Sequence, residues 1–194
     1  MNPPQAGSLA RTDIWAWLTA RWGAARFIVI FSVLAGVLLA LYYYPYPEGS
    51  RARAWLDAYL AGYAAASGAV LRVFEPNVRV VGQNITGRFA MRIIKTCDAM
   101  DVLILLLSAI AAWPAPWRKR AASAGLGIAL ISGLNIARIC TIYYVGVYAP
   151  ASVDFVHLEL WPAIILVAAV GAFLGFIFWV GDGSQRGARG AGGT

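Results

Sequence analysis

Between residues 27 and 180 the chain is mostly apolar, with long runs at 27–44, 99–117, 121–145 and 158–180. A helix needs roughly 20 consecutive apolar residues to cross a bilayer. Inside hydrocarbon each backbone N–H and C=O must find a partner within the protein, which a helix supplies along its own length. The predicted fold class is therefore an all-α polytopic membrane protein with about four transmembrane helices. Composition agrees: 60% of residues are hydrophobic and 13% charged, against roughly a quarter charged in soluble chains. The net charge of +7 would suggest nucleic acid in a soluble protein. Here the cations flank apolar runs, where they set orientation and meet anionic headgroups. Membrane lipids are expected partners; nucleic acid is not.

The runs divide the chain into a leader, one membrane domain and a tail. Residues 1–26 carry Arg11, Arg21 and Arg26 with Trp15, Trp17 and Trp22, a cytoplasmic and interfacial pattern. The run at 27–44 reads as a retained anchor, with Tyr42, Tyr43, Tyr44 and Tyr46 as its aromatic belt. Residues 54–74 have helical periodicity but carry Asp57, Tyr59, Tyr63 and Ser67, which predicts an interfacial helix. Over 78–94, Phe89, Met91 and Ile93 alternate with Arg88, Ala90 and Arg92. Period two after Gly82-Gln83-Asn84 predicts a small extracytoplasmic β-hairpin. Residues 27–180 form the membrane domain, and the Gly-rich residues 181–194 predict a disordered cytoplasmic tail. Arg118-Lys119-Arg120 sits in one short connection, whereas 146–157 has no Lys or Arg. The charge bias places 117–120 and both termini in the cytoplasm and 146–157 outside.

This topology brings three reactive residue types to one membrane face: Cys97 at the start of the second run, Arg138 late in the third, and His157 at the start of the fourth. His157 is the only histidine. Ionisable groups in such segments mark functional sites, and the set supplies a nucleophile, a cation and a general base. Each has a plain structural alternative: Cys97 as a small apolar residue, Arg138 as an interfacial snorkelling cation, His157 as a hydrogen-bonded interface residue. Their coincidence at one depth favours catalysis. Asn135 and Thr141 lie three residues either side of Arg138, on one helical face. Asp101, four residues after Cys97, is expected to pair with Arg138 or Arg92. Cys140 falls on the opposite face from Arg138 and is assigned to packing. Gly125, Gly127 and Gly133 are expected to allow close helix packing. One histidine and two cysteines do not make a usual zinc site, so neither metal nor cofactor is expected.

The β-like stretch leading into Cys97, Asn135-Ile136-Ala137-Arg138 late in the next span, and His157 opening the last resemble the exosortase/archaeosortase family. Trp113-Pro114-Ala115-Pro116-Trp117 and the basic triplet after it also fit. The resemblance covers about residues 55–180. Cys97-Asp98-Ala99-Met100 and the short chain suggest a subtype resembling exosortase H. By that resemblance Cys97 is the nucleophile, with Arg138 and His157 as its partners. It implies a cysteine protease or transpeptidase of the bacterial cytoplasmic membrane. Its substrates would be exported proteins with a C-terminal motif, a transmembrane helix and a basic cluster, cut on the outer face. Two other readings compete: a non-enzymatic protein gripping lipid headgroups or export partners, and a redox protein joining Cys97 to Cys140.

Overall fold

A computed structural model describes the backbone of residues 9–191 and the side chains of 22–181. The elements are α1 (Leu9–Tyr43), α2 (Arg51–Phe74), β1 (Arg79–Val81), β2 (Asn84–Thr86), β3 (Met91–Arg92), a 3-10 turn (Lys95–Cys97), α3 (Met100–Ala112) and α4 (Trp117–Tyr148). A 3-10 turn (Pro150–Ser152), the short α5 (Val153–Phe155), a π-helical turn (Val156–Leu160) and α6 (Trp161–Ala191) complete the chain. Three segments are long and apolar enough to cross a membrane: Trp22–Tyr43, Trp117–Tyr148 and Pro150–Gly181.

The second apolar run forms a helix of only 13 residues, α3. Pro114 and Pro116 are the cause. A proline disfavours helical geometry in the residue before it, and Trp113 is accordingly extended at φ −72°, ψ 135°. At the N-terminal side, leader and anchor run together in the single helix α1; residues 1–8 and the side chains of Arg11, Trp15, Trp17 and Arg21 lie outside the described residues. At the other end α6 carries helical backbone on to Ala191, into the stretch whose composition predicts disorder. Extending a helix costs far less than starting one. Residues 192–194 lie outside the described set.

Helices α1, α3, α4 and α6 alternate in direction. Phe27, low on α1, packs edge-on against Trp113 at the end of α3, with ring centroids 5.6 Å apart. Tyr42, high on α1, hydrogen-bonds Asp98 just before α3. Leu106 of α3 lies against Gly127 of α4, where a Cβ would stand 2.9 Å from its Cδ2. Lys119 at the start of α4 donates to the carbonyl of Trp179 in the second half of α6 (2.9 Å). One core joins α3, α4 and α6 through Leu103, Leu106, Ile110, Ile131, Ile142 and Ile165. Of the three glycines read as packing sites, Gly127 meets a neighbour, whereas Gly125 and Gly133 face open space.

A second core sits at one end of this bundle. There Leu60, Ala64 and Leu71 of α2 pack with Val78, Ile85 and Ile93 against Ile139 and Tyr143 of α4. Both ends of α2 stay at this end of the bundle. Its first turn, capped by Ser50 Oγ accepting from Arg53 N (3.2 Å), follows closely on Tyr46. Just past its last turn, Glu75 receives the Tyr143 hydroxyl at 2.9 Å.

The expected hairpin is a three-stranded antiparallel sheet, order β1-β2-β3, with buried Ile85 opposite both Val80 and Met91. Gly82, at φ +58°, opens the two-residue β1–β2 turn in the positive-φ conformation such turns require. The period-two alternation survives as burial over 89–94, yet only Met91 and Arg92 pair as strand. Before them, Arg88 N turns to the Tyr143 hydroxyl instead (3.0 Å).

Candidate active site

Cys97 lies at the junction of the two cores, between buried Ile93 and buried Ala99. It precedes α3 in the 3-10 turn Lys95–Cys97, its N–H bonded to Ile94 O at 2.8 Å. Two features hold this turn. Asp98 Oδ1 accepts from Met100 N (3.1 Å) and so serves the first turn of α3. Ala99 adopts φ +55°, the left-handed region, which costs a residue with a Cβ on the order of 1 kcal/mol. Strain of this kind clusters at functional sites. Asp98 is 2% exposed and accepts the Tyr42 hydroxyl, which ties α1 to the turn. Burial raises the Asp98 carboxyl above its ordinary value, against the bonds from Tyr42 and Met100 N that favour its charged form.

The Cys97 Sγ lies 3.7 Å from His157 Nε2. Behind the ring, Arg138 Nη2 donates to the carbonyl oxygen of His157 (3.1 Å) and faces its Nδ1 at 3.4 Å. Arg138 is 5% exposed. The three residues named from sequence therefore converge on one point, each supplied by a different segment.

His157 is presented by the π-helical turn, and the sequence explains that turn. Pro162 has no N–H and its ring obstructs the carbonyl four residues back. The backbone absorbs this by widening one turn, a device common at functional sites. Trp161 N then donates to Val156 O, five residues back, and no longer to His157 O. In the widened register the next donor for His157 O would be Pro162 N, which has no hydrogen. Arg138 supplies the missing donor.

The supporting residues behave differently. Asn135 is fully buried one turn before Arg138, and neither polar atom of its side chain has a partner among the described residues. Thr141 turns back on its own helix, donating to Ala137 O at 2.8 Å, so it does not serve the site. Asp101 is exposed and in no ion pair among the described residues, with either Arg138 or Arg92. Its four-residue spacing from Cys97 has no helical meaning, because α3 starts only at Met100. Cys140 Sγ points to Ser67 O on α2 at 3.7 Å, and both cysteines are free thiols. Sequence reasoning missed the positioning roles of Asp98, Tyr42 and Pro162. A proline five residues after the lone histidine was the available signal for the last.

Chemically, the group offers a thiol, an imidazole in contact with it, and a fixed cation behind the imidazole. An arginine only donates, so the Nδ1 it faces is the unprotonated ring nitrogen, and the neutral ring carries its proton on Nε2. No family model, curated protein or solved structure matches the chain.

Proposed function

We propose that this chain is a membrane-embedded cysteine protease or transpeptidase-like enzyme. It cleaves the C-terminal sorting tail of exported proteins at the outer face of the cytoplasmic membrane. The observation that carries the reading is the 3.7 Å approach of Cys97 Sγ to His157 Nε2, with Arg138 fixed behind the ring. The identity of the substrate rests on the family resemblance of the residues around Cys97, Arg138 and His157.

In this reading α1, α3, α4 and α6 make four crossings, and α2 with the sheet lies on the extracytoplasmic side. The end of the bundle opposite the site carries Arg26, Arg118, Lys119 and Arg120, which favours the cytoplasm for that end. A substrate helix enters laterally and presents its motif beside the sheet. As the scissile carbonyl arrives, Arg138 Nη2 turns from Nδ1 to the developing oxyanion, the donor role that typically contributes most in acyl transfer. Nδ1 is then free to hold the ring proton, exchanged through solvent, and Nε2 takes the thiol proton. Sγ bonds to the carbonyl carbon, and the C–N bond breaks as Nε2 returns the proton to the leaving nitrogen. The thioester on Cys97 is resolved by water or an amine.

The test is cleavage of a reporter bearing such a tail, followed by gel shift in membranes. Cys97→Ala is expected to abolish the cut while the protein still inserts, and Cys140→Ala to leave it intact. Normal cutting by Cys97→Ala ends the proposal and promotes the lipid- or partner-binding alternative.

A further inference from the structure

At the end of the bundle opposite Cys97 a groove of about 440 Å³ opens between α4 and α6. Its walls are Ala122, Ser123 and Leu126 on α4, and Gly175, Phe176 and Trp179 on α6. Phe176 is its buried floor at 3% exposure, while Leu126 and Trp179 stand open at 71% and 50%. Gly175 shapes it: a Cβ there would meet nothing within 4 Å.

Lys119 stands over the Trp179 wall of the groove, and Arg118 lies one helical turn before its Ala122 wall. Lys119 Nζ lies 5.2 Å from the centre of the Trp179 ring, and the Arg118 guanidinium lies 5.9 Å from that of Trp117. Among the described residues neither joins an ion pair. Trp22, Trp117 and Trp179 are all exposed at this end. Tryptophans favour the headgroup level of a bilayer. The groove thus begins at headgroup depth under two cations and runs into hydrocarbon depth with apolar walls.

We infer that this groove is a specific site for an anionic phospholipid, its acyl chain between α4 and α6 and its phosphate on Arg118 and Lys119. Basic sites between membrane helices suit such headgroups. A second copy of the chain fits less well, since a two-fold contact on this face brings the Lys119 ammonium groups together. The site is separate from the Cys97 centre and needs no catalytic role for it.

Native mass spectrometry of the full chain, with phosphatidylglycerol or phosphatidylcholine added to the detergent, tests this. One retained phosphatidylglycerol is expected, preferred over phosphatidylcholine by about tenfold or more, as two cations near a headgroup allow. Arg118→Gln with Lys119→Gln should bring that ratio near one. Gly175→Leu should remove the adduct by filling the groove, while Gly171→Leu, one turn away and also facing open space, should keep it. Equal retention of both lipids by the unmodified chain overturns the site, as does an adduct that survives Gly175→Leu. A protein dimer that Gly175→Leu dissociates assigns the groove to a second copy and also overturns it. If Gly175→Leu does not fold, the Arg118/Lys119 variant decides alone, and a retained preference for phosphatidylglycerol refutes the inference.

Discussion

Pro162→Ala is the sharpest perturbation of the proposed machinery, because Pro162 touches none of the reacting atoms. Alanine restores a donor at position 162 and removes the ring that obstructs the Leu158 carbonyl. The π-helical turn Val156–Leu160 then closes to ordinary α-helical register, with Trp161 N donating to His157 O. One residue of excess is taken up. A residue in an α-helix turns about 100° and rises about 1.5 Å, so at a Cα radius of about 2.3 Å His157 moves by roughly 4 Å. That displacement is as large as the 3.7 Å Sγ–Nε2 contact itself, and it also takes the carbonyl away from Arg138. The variant should therefore lose about 10²- to 10⁴-fold in kcat/KM, the usual value of a general base. Its stability should rise, by up to about 3 kcal/mol, the difference between proline and alanine inside a helix. Single-turnover cleavage of a tailed reporter in proteoliposomes measures the first, and thermal unfolding in detergent the second. A variant that cuts at the parental rate, or that is less stable than its parent, refutes the idea that strain at Pro162 aims His157.

Arg138→Met removes the 3.1 Å bond to His157 O and the proposed oxyanion donor; the loss of the donor alone is expected to cost about 10²- to 10³-fold in kcat, and activity within tenfold of the parent would exclude that role. With ¹⁵N-labelled histidine the parent should show the single ring protonated on Nε2, and Arg138→Met should shift it towards a mixture; a parent protonated on Nδ1 contradicts the geometry. Asp98 is raised by burial, so its stabilising contribution is complete below the ordinary carboxyl value and fades as pH rises through the raised one. As pH rises from the ordinary carboxyl value of about 4, the parent should lose stability that Asp98→Asn retains, read as melting temperature against pH; parallel profiles would count against it. Asn135→Leu removes two buried polar atoms without partners and should leave stability unchanged or raise it by about 1–3 kcal/mol; a loss of cleavage alongside would tie Asn135 to the reaction, whereas full activity would make it a packing residue.

The long apolar runs and the meeting of Cys97, Arg138 and His157 were legible in the sequence because both follow from counting: hydropathy marks the helices, and the ends of antiparallel helices share a depth. The period-two pattern over 89–94 likewise read correctly as alternating burial. What failed to show was backbone deviation from ideal helix. The spacing of Cys97 and Asp101 assumes a continuous helix, and the left-handed Ala99 interrupts it. The face assignment of Thr141 ignored the Ala137 carbonyl one turn back, which its hydroxyl reaches along its own helix. The short α3 was hidden because Trp113, Ala115 and Trp117 are apolar, so hydropathy ran on past the prolines that stop the helix.

The length of α3 has a mechanical consequence. Thirteen residues span about 20 Å, against roughly 30 Å for the hydrocarbon of a typical bilayer. Helix α4, by contrast, continues from Arg138 to Tyr148. In the proposed membrane arrangement the Cys97 turn therefore lies deeper than the end of α4. In the proposed four-crossing arrangement a bilayer either thins around the short helix or tilts its neighbours, at a modest cost for each ångström of mismatch. In the proposed reaction, thinning lowers the water boundary to Cys97, so a scissile bond is reached without being lifted clear of the lipid. Acyl-chain length then acts as a dial on turnover: longer lipids should slow cleavage by an unaltered protein, and shorter ones should speed it.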